Sequence, residues 1–136
     1  MKFTQLDENM FVSPQIDADG VRAAAAQGIR VIINNRPDHE GPGQPLSADL
    51  AEVAQACGVE YHPLPIDHSG FPRESVDAMV MLLSKTEAPM LGFCRTGTRS
   101  TFLWALARRK FGDSYDDLQA KAQAAGYDLG PIKGLM

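Results

Sequence analysis

The sequence predicts a single α/β domain over residues 1–136, built on a mostly parallel central sheet with helices on its faces. Three observations lead there. Apolar strand-like runs alternate with amphipathic helical segments for most of the length, the pattern of parallel strands joined by right-handed crossovers. The run IRVIIN is continuous and rich in β-branched residues, as in a strand covered on both faces. A chain of 136 residues is also long enough for one good core and too short for two. At 44% hydrophobic and 22% charged residues, collagen-like, disordered and disulfide-scaffold classes are excluded.

Taken in order, residues 10–16 (MFVSPQI) form a short extended segment, and residues 17–27 (DADGVRAAAAQ) a helix with Asp17 or Asp19 near its cap and Gly28 as its stop. Residues 29–34 are the clearest strand. Residues 35–46 hold three prolines and two glycines in twelve positions, which makes them a loop of functional length. Ser47 is placed to cap a helix over 47–57, whose Leu50, Val53, Ala54 and Cys57 share one face. VEYHPLPI, residues 59–66, is a strand. Pro72 opens a helix through residue 85, with Val76, Met79, Val80 and Leu83 at helical spacing. PMLGFC (89–94) is the next strand, running into CRTGTRS and a helix over 101–111 closed by Gly112. Ser114 caps a last helix through 126, and the tail GPIKGLM is unassigned.

Thirteen basic against seventeen acidic residues give a net charge of −4, which argues against a phosphate-contacting nucleic-acid surface. Any anion site must be local. No apolar stretch approaches the ~20 residues of a membrane span, and the opening MKFTQLDENM lacks a signal-peptide core, so the expectation is a cytoplasmic protein with no membrane partner. Cys57 and Cys94 make no CxxC pair and three scattered histidines show no ligand spacing, so neither a metal nor another cofactor is expected.

The chemistry centres on Cys94. It stands where an apolar strand ends and a helix begins, so the backbone N–H groups that follow can curl around the sulfur as an anion-binding nest. The helix dipole, Arg95 and Arg99 all favour a thiolate there. Gly97 gives the backbone the freedom to fold tightly, and Arg99 presents a planar fork to a tetrahedral oxyanion. Cys57, on the apolar face of its helix, reads as a packing residue, and so does Trp104 with Phe102 and Leu103.

Three stretches, GIRVIINNRPDHE, EYHPLPIDHSG and GFCRTGTRS, together spanning about residues 28–100, resemble the phosphatase-like domain of beta-lactamase-hydrolase-like proteins, a bacterial family. That resemblance implies a fold like that of protein-tyrosine and dual-specificity phosphatases. It also implies that Asp67 lies in the general-acid loop, and it suggests a functional pairing with sulfide- or persulfide-oxidising enzymes. Two details depart from the phosphatase pattern. Only four residues separate Cys94 from Arg99 where tyrosine phosphatases have five, and Phe93 replaces the usual His. The run C-R-x-G-x-R is similar instead to the active loop of rhodaneses, which carry a persulfide on cysteine.

Two reactions on a small anionic substrate are therefore expected in this order. The first is sulfur transfer, in which Cys94 takes a sulfane sulfur from thiosulfate or a persulfide and passes it to an acceptor thiol with ping-pong kinetics. Arg95, Thr96, Gly97, Thr98 and Ser100 would cradle the substrate there, and Arg99 would hold the thiolate. The alternative is phosphatase chemistry, with Cys94 attacking phosphorus, Arg99 and the loop amides holding the oxygens, and Asp67 protonating the leaving group. An idle anion-binding module is the third reading. Arg36, Asp38 and His39 can line the same crevice, since they follow the carboxyl end of a strand; His68 and Arg73 flank the Asp67 loop. Loop surface is the ordinary reading for all five.

Overall fold

A computed structural model describes residues 2–136. Its five strands are β1 (Thr4–Gln5), β2 (Met10–Ser13), β3 (Val31–Asn34), β4 (Glu60–Pro63) and β5 (Met90–Phe93). Its helices are α1 (Ala18–Ala26), α2 (Ser47–Ala56), α3 (Arg73–Lys85), α4 (Thr98–Lys110) and α5 (Tyr115–Ala124), followed by a 3-10 helix over Gly130–Leu135. The sheet order is β1-β2-β5-β3-β4, with β1 antiparallel and every other pairing parallel.

Strand alternation builds the two faces. Val31, Ile33 and Met90 belong to one buried cluster with the α3, α4 and α5 residues Met79, Trp104 and Leu118. Ile32, Leu91 and Phe93 point the other way, against Val21 and Ala24 of α1 and Leu50 and Ala54 of α2. Residues at i and i+2 share a sheet face, so both faces of β3 and β5 are apolar and both are covered. β4 is an edge strand, partly exposed along its length, and so tolerates Pro63.

Local details bear out the sequence reading at some points and depart from it at others. The Asp17 side chain caps α1, accepting the Gly20 N–H at 2.9 Å. Ser47 does not cap α2: Leu46 takes that place, and the Ser47 hydroxyl meets the Tyr61 hydroxyl at 2.9 Å. Strand β1 escaped the sequence because two residues carry no periodicity; the turn around Asp7 makes it, accepting the Asn9 and Met10 N–H groups. α4 begins at Thr98, three residues earlier than expected, which places Arg99 and Ser100 in its first turn. The tail buries Ile132 against the core. Trp104 is fully buried, with its indole N–H donated to Asp7 Oδ2 at 2.9 Å. Among the described residues no helix is long and apolar enough to cross a membrane.

The central strand β5 is flanked by β2 and β3. The chain leaves β3 toward α2 on one face and leaves β5 toward α4 on the other. Adjacent parallel strands whose exits diverge open a crevice at their carboxyl ends, where α/β sheets bind ligands. Cys94 stands at that point.

Candidate active site

Cys94 directly follows β5 and is fully buried. Its Sγ accepts the backbone N–H of Gly97 at 3.1 Å, so the chain turns back on the sulfur within three residues. Gly97 is the N-cap of α4 at φ +91°, in the left-handed region. A Cβ at this position would collide with Tyr127 Oη. Glycine is thus required twice, for its backbone angle and for space. Tyr127, just beyond α5, donates its hydroxyl to the Thr96 carbonyl at 3.0 Å and pins the crest of the loop. Burial, then the charge of the Cys94 sulfur, push the Tyr127 hydroxyl pKa up. The Thr96 hydroxyl donates to Thr98 Oγ1 at 2.9 Å.

The neighbouring strand exits hold the loop from below. Ser100 Oγ donates to Asn35 Oδ1 at 2.8 Å, Asn35 N–H to the Phe93 carbonyl at 2.8 Å, and Asn35 Nδ2 to the Leu64 carbonyl at 2.9 Å. The Ser100 hydroxyl expected on the substrate is therefore committed to the β3–α4 junction. Gln15, after β2, donates its N–H to the Arg95 carbonyl at 3.3 Å.

Arg99 is held on two sides. Its Nη1 and Nη2 donate to Glu40 Oε2 and Oε1 at 2.8 and 2.7 Å, and Nη1 also donates to the Ile66 carbonyl at 2.7 Å. Arg36 donates from Nε to Glu40 Oε1 at 2.9 Å and from Nη1 to Gln15 Oε1 at 3.2 Å. The Arg99 and Glu40 side chains are only 13% and 19% exposed, so this bidentate pair is shielded from the screening that weakens surface pairs. Hydrogen bonding from Arg99 first, and from Arg36 in addition, holds the Glu40 carboxyl down at about 2 against an opposing effect of burial. The same contact with Glu40, with the Cys94 sulfur adding to it, pushes the Arg99 pKa up.

Asp67 comes directly after the carbonyl that Arg99 binds, so its loop hangs on the arginine of the Cys94 loop. Its carboxylate turns to Ser69, accepting both the backbone N–H at 2.9 Å and the hydroxyl. Those two bonds, the hydroxyl's first, push the Asp67 pKa down in an exposed position. Beside it, a cavity of about 330 Å³ is lined by Arg36, Glu40, Gly41, Pro42, His68 and Arg95.

Of the residues singled out in the sequence, Arg36, His68 and Arg95 thus meet at one mouth. Asp38 does not: it accepts the Ser47 N–H at 2.9 Å and supports the start of α2. His39 is exposed and takes a left-handed φ of 64° in the turn that carries Glu40. Arg73 lines a separate groove with Phe71, Val76, Leu106 and Arg109. Three residues that shape the site escaped sequence reasoning. Glu40 lies 59 positions before Arg99 and Tyr127 lies 31 after Thr96, separations across which no pattern signals contact. Asn35 was counted only as the start of a loop. Among the described residues, no three His, Cys, Asp or Glu side chains gather as metal ligands.

Comparison with known proteins agrees with the architecture. Residues 2–110 match the family described as "Beta-lactamase hydrolase-like protein, phosphatase-like domain". A beta-lactamase hydrolase-like protein of Xylella fastidiosa is 32% identical over 131 residues, covering 96% of this chain and 30% of the relative. The chain thus spans about a third of that relative's length. Among solved structures, a candidate phosphatase of Neisseria meningitidis superposes with a TM-score of 0.84 at 34% identity, over 99% of this chain and 96% of its own. The kinase-associated phosphatase shares the fold alone, with a TM-score of 0.71 at 17% identity over 91% of this chain and 82% of its own. The fold is that of the protein-tyrosine and dual-specificity phosphatases, as expected. Of the two reactions considered from sequence, these likenesses fall on the side of the phosphatase.

Proposed function

Because the chain belongs to the phosphatase-like domain family of beta-lactamase hydrolase-like proteins, we propose that it hydrolyses phosphoric monoesters through a Cys94 phosphoenzyme. The observation that carries this reading is the double hold on Arg99. Glu40 and the Ile66 carbonyl hold the guanidinium that interacts with the buried sulfur, and the bond to Ile66, the residue before Asp67, supports a general-acid role for that loop. Sulfur transfer has little use for an acid at that place; protonating a departing alkoxide does.

In the first step the Cys94 thiolate attacks phosphorus and the P–O ester bond breaks. The N–H groups of the 94–100 loop and the Nε–Nη2 edge of Arg99, the side not given to Glu40 and Ile66, hold the non-bridging oxygens as charge shifts onto them. The departing oxygen takes its proton from the Asp67 carboxylic acid. In the second step water attacks the phosphocysteine, its proton returns to the Asp67 carboxylate, and inorganic phosphate leaves with the thiolate restored. Asp67 must turn from Ser69 and be protonated to act, so poor leaving groups depend on it most. Asp67→Asn is expected to lower turnover of an alkyl phosphate by about 10²–10⁴-fold while sparing an activated aryl phosphate. Equal loss on both would remove the acid role.

One observation favours sulfur transfer as the second reading: Arg99 follows Cys94 after only four residues, which narrows the cradle. A single experiment separates the two. Phosphate release from an aryl phosphate is measured for the wild type and Cys94→Ser, beside intact mass after incubation with thiosulfate. Cys94-dependent phosphate release is expected. A Cys94-dependent gain of one sulfur atom without phosphate release would replace the phosphatase by the sulfurtransferase.

A further inference from the structure

The charges nearest Cys94 are matched. Arg36 and Arg99 share the single carboxylate of Glu40, and the positive charge left over faces the Cys94 sulfur. A phosphoryl group in the loop is met by the loop N–H groups and the dipole of α4. Arg95 then remains. Its side chain is exposed, has no hydrogen-bond or ion-pair partner among the described residues, and lines the cavity of about 330 Å³ together with His68. The backbone of Arg95 is held by Gln15 and the residue directly follows the nucleophile, so its guanidinium stands beside any ligand seated at this loop.

We infer that this cavity is a second anion subsite, and that the substrate is a small phosphoric monoester carrying a second anionic group, a carboxylate or a further phosphate, held by Arg95 and His68. The inference rests on the phosphatase reading and names the substrate class of that same site. Its volume is at the small end of ligand pockets, which suits a metabolite rather than a folded phosphoprotein. Arg95 supplies the planar fork that matches a carboxylate or phosphate, and the His68 imidazole adds a donor in the same lining. The Arg36 guanidinium, tied to Glu40 and Gln15, is a fixed wall of the cavity, and with Arg95 it outweighs the Glu40 carboxylate that lines the same space.

The test compares kcat/KM for 3-carboxyphenyl phosphate and for its neutral methyl ester, whose leaving phenols are similar, and uses the ratio of the two. The wild type is expected to prefer the carboxylate by about tenfold or more, the worth of one well-placed charged hydrogen bond. Arg95→Met is expected to bring the ratio near one, Arg95→Lys to restore part of it, and Arg95→Glu to invert it. His68→Gln, outside the nucleophile loop, should lower the ratio a few-fold and guards against a loop variant that misfolds. A wild-type ratio near one with Cys94-dependent turnover would overturn the subsite and leave the phosphatase standing. A high ratio unmoved by Arg95→Met and His68→Gln would overturn the assignment to this cavity. A phosphotyrosine peptide turned over faster than the carboxylated ester would overturn the small-molecule class. Failure to release phosphate from either ester would overturn both readings together.

Discussion

Glu40 and Ser69 each set the state of a neighbour that the reaction needs. With its carboxyl held near 2, Glu40 stays ionised throughout the range in which the protein would be assayed, and the brace on Arg99 is intact there. The group's pKa is depressed on folding, so its stabilising effect is full above the unfolded value near 4.5 and fades as pH falls toward 2. Glu40→Gln should therefore lower kcat/KM on an aryl phosphate by about 10–100-fold through a misplaced fork, without moving either limb of the pH profile above pH 5. A shifted limb would mean that Glu40 itself titrates in the reaction. Ser69 acts in the opposite sense, by depressing Asp67. Ser69→Ala removes the hydroxyl that contributes most to that depression, so the acid form of Asp67 should survive to higher pH. The basic limb for an alkyl phosphate is expected to move upward, and an unmoved limb would separate Ser69 from the acid. Sequence could read Cys94, Gly97 and Arg99 because they fall within one short loop and their chemistry is local. It could not read Glu40, since an acidic residue in a Pro- and Gly-rich loop is ordinary surface until the fold brings Arg99 to it.

At the level of elements, the start of α4 is where local rules and tertiary packing diverge. Threonine and serine at 98–100 suggest a loop that runs into a later helix, and the helix begins at Thr98 because Gly97 turns left-handed and Thr101 Oγ1 donates back to the Gly97 carbonyl at 2.8 Å. Gly92 serves the same end in β5, where a Cβ would stand 3.2 Å from Ser100 Cβ, so the helix start lies close on the sheet. Gly97→Ala is expected to abolish turnover, because the loop must shift away from both the strained angle and the Tyr127 hydroxyl. The backbone strain adds about 1–2 kcal/mol of instability, readable in a urea melt. Full activity in a folded Gly97→Ala would contradict the loop geometry. Helices and inner strands were legible from their periodicity, whereas β1 is too short to have one, and the start of α2 rests on contacts of Ser47 with Asp38 and Tyr61, nine and fourteen positions away.

For the molecule as a whole, the layering follows from the alternation of Val31, Ile32 and Ile33, which supplies one core to α3 and α4 and another to α1 and α2. The two ends of the chain are joined less visibly. Asp7 accepts the Trp104 indole N–H across 97 residues while organising the turn into β2. Asp7→Ala would leave that donor buried without a partner, and a loss of about 1–3 kcal/mol is expected, seen as a lower urea midpoint at unchanged slope. A wild-type midpoint would show that the turn forms without it. The clamp from Tyr127 onto Thr96 has a consequence in time as well as in space. The nucleophile loop leaves the ribosome 31 residues ahead of the tyrosine that pins it, so the nascent chain presents Cys94 before the loop has its final shape. The crest of the loop is thus pinned only once Tyr127 has been made and α5 is in place, which sets this contact among those that close late in synthesis.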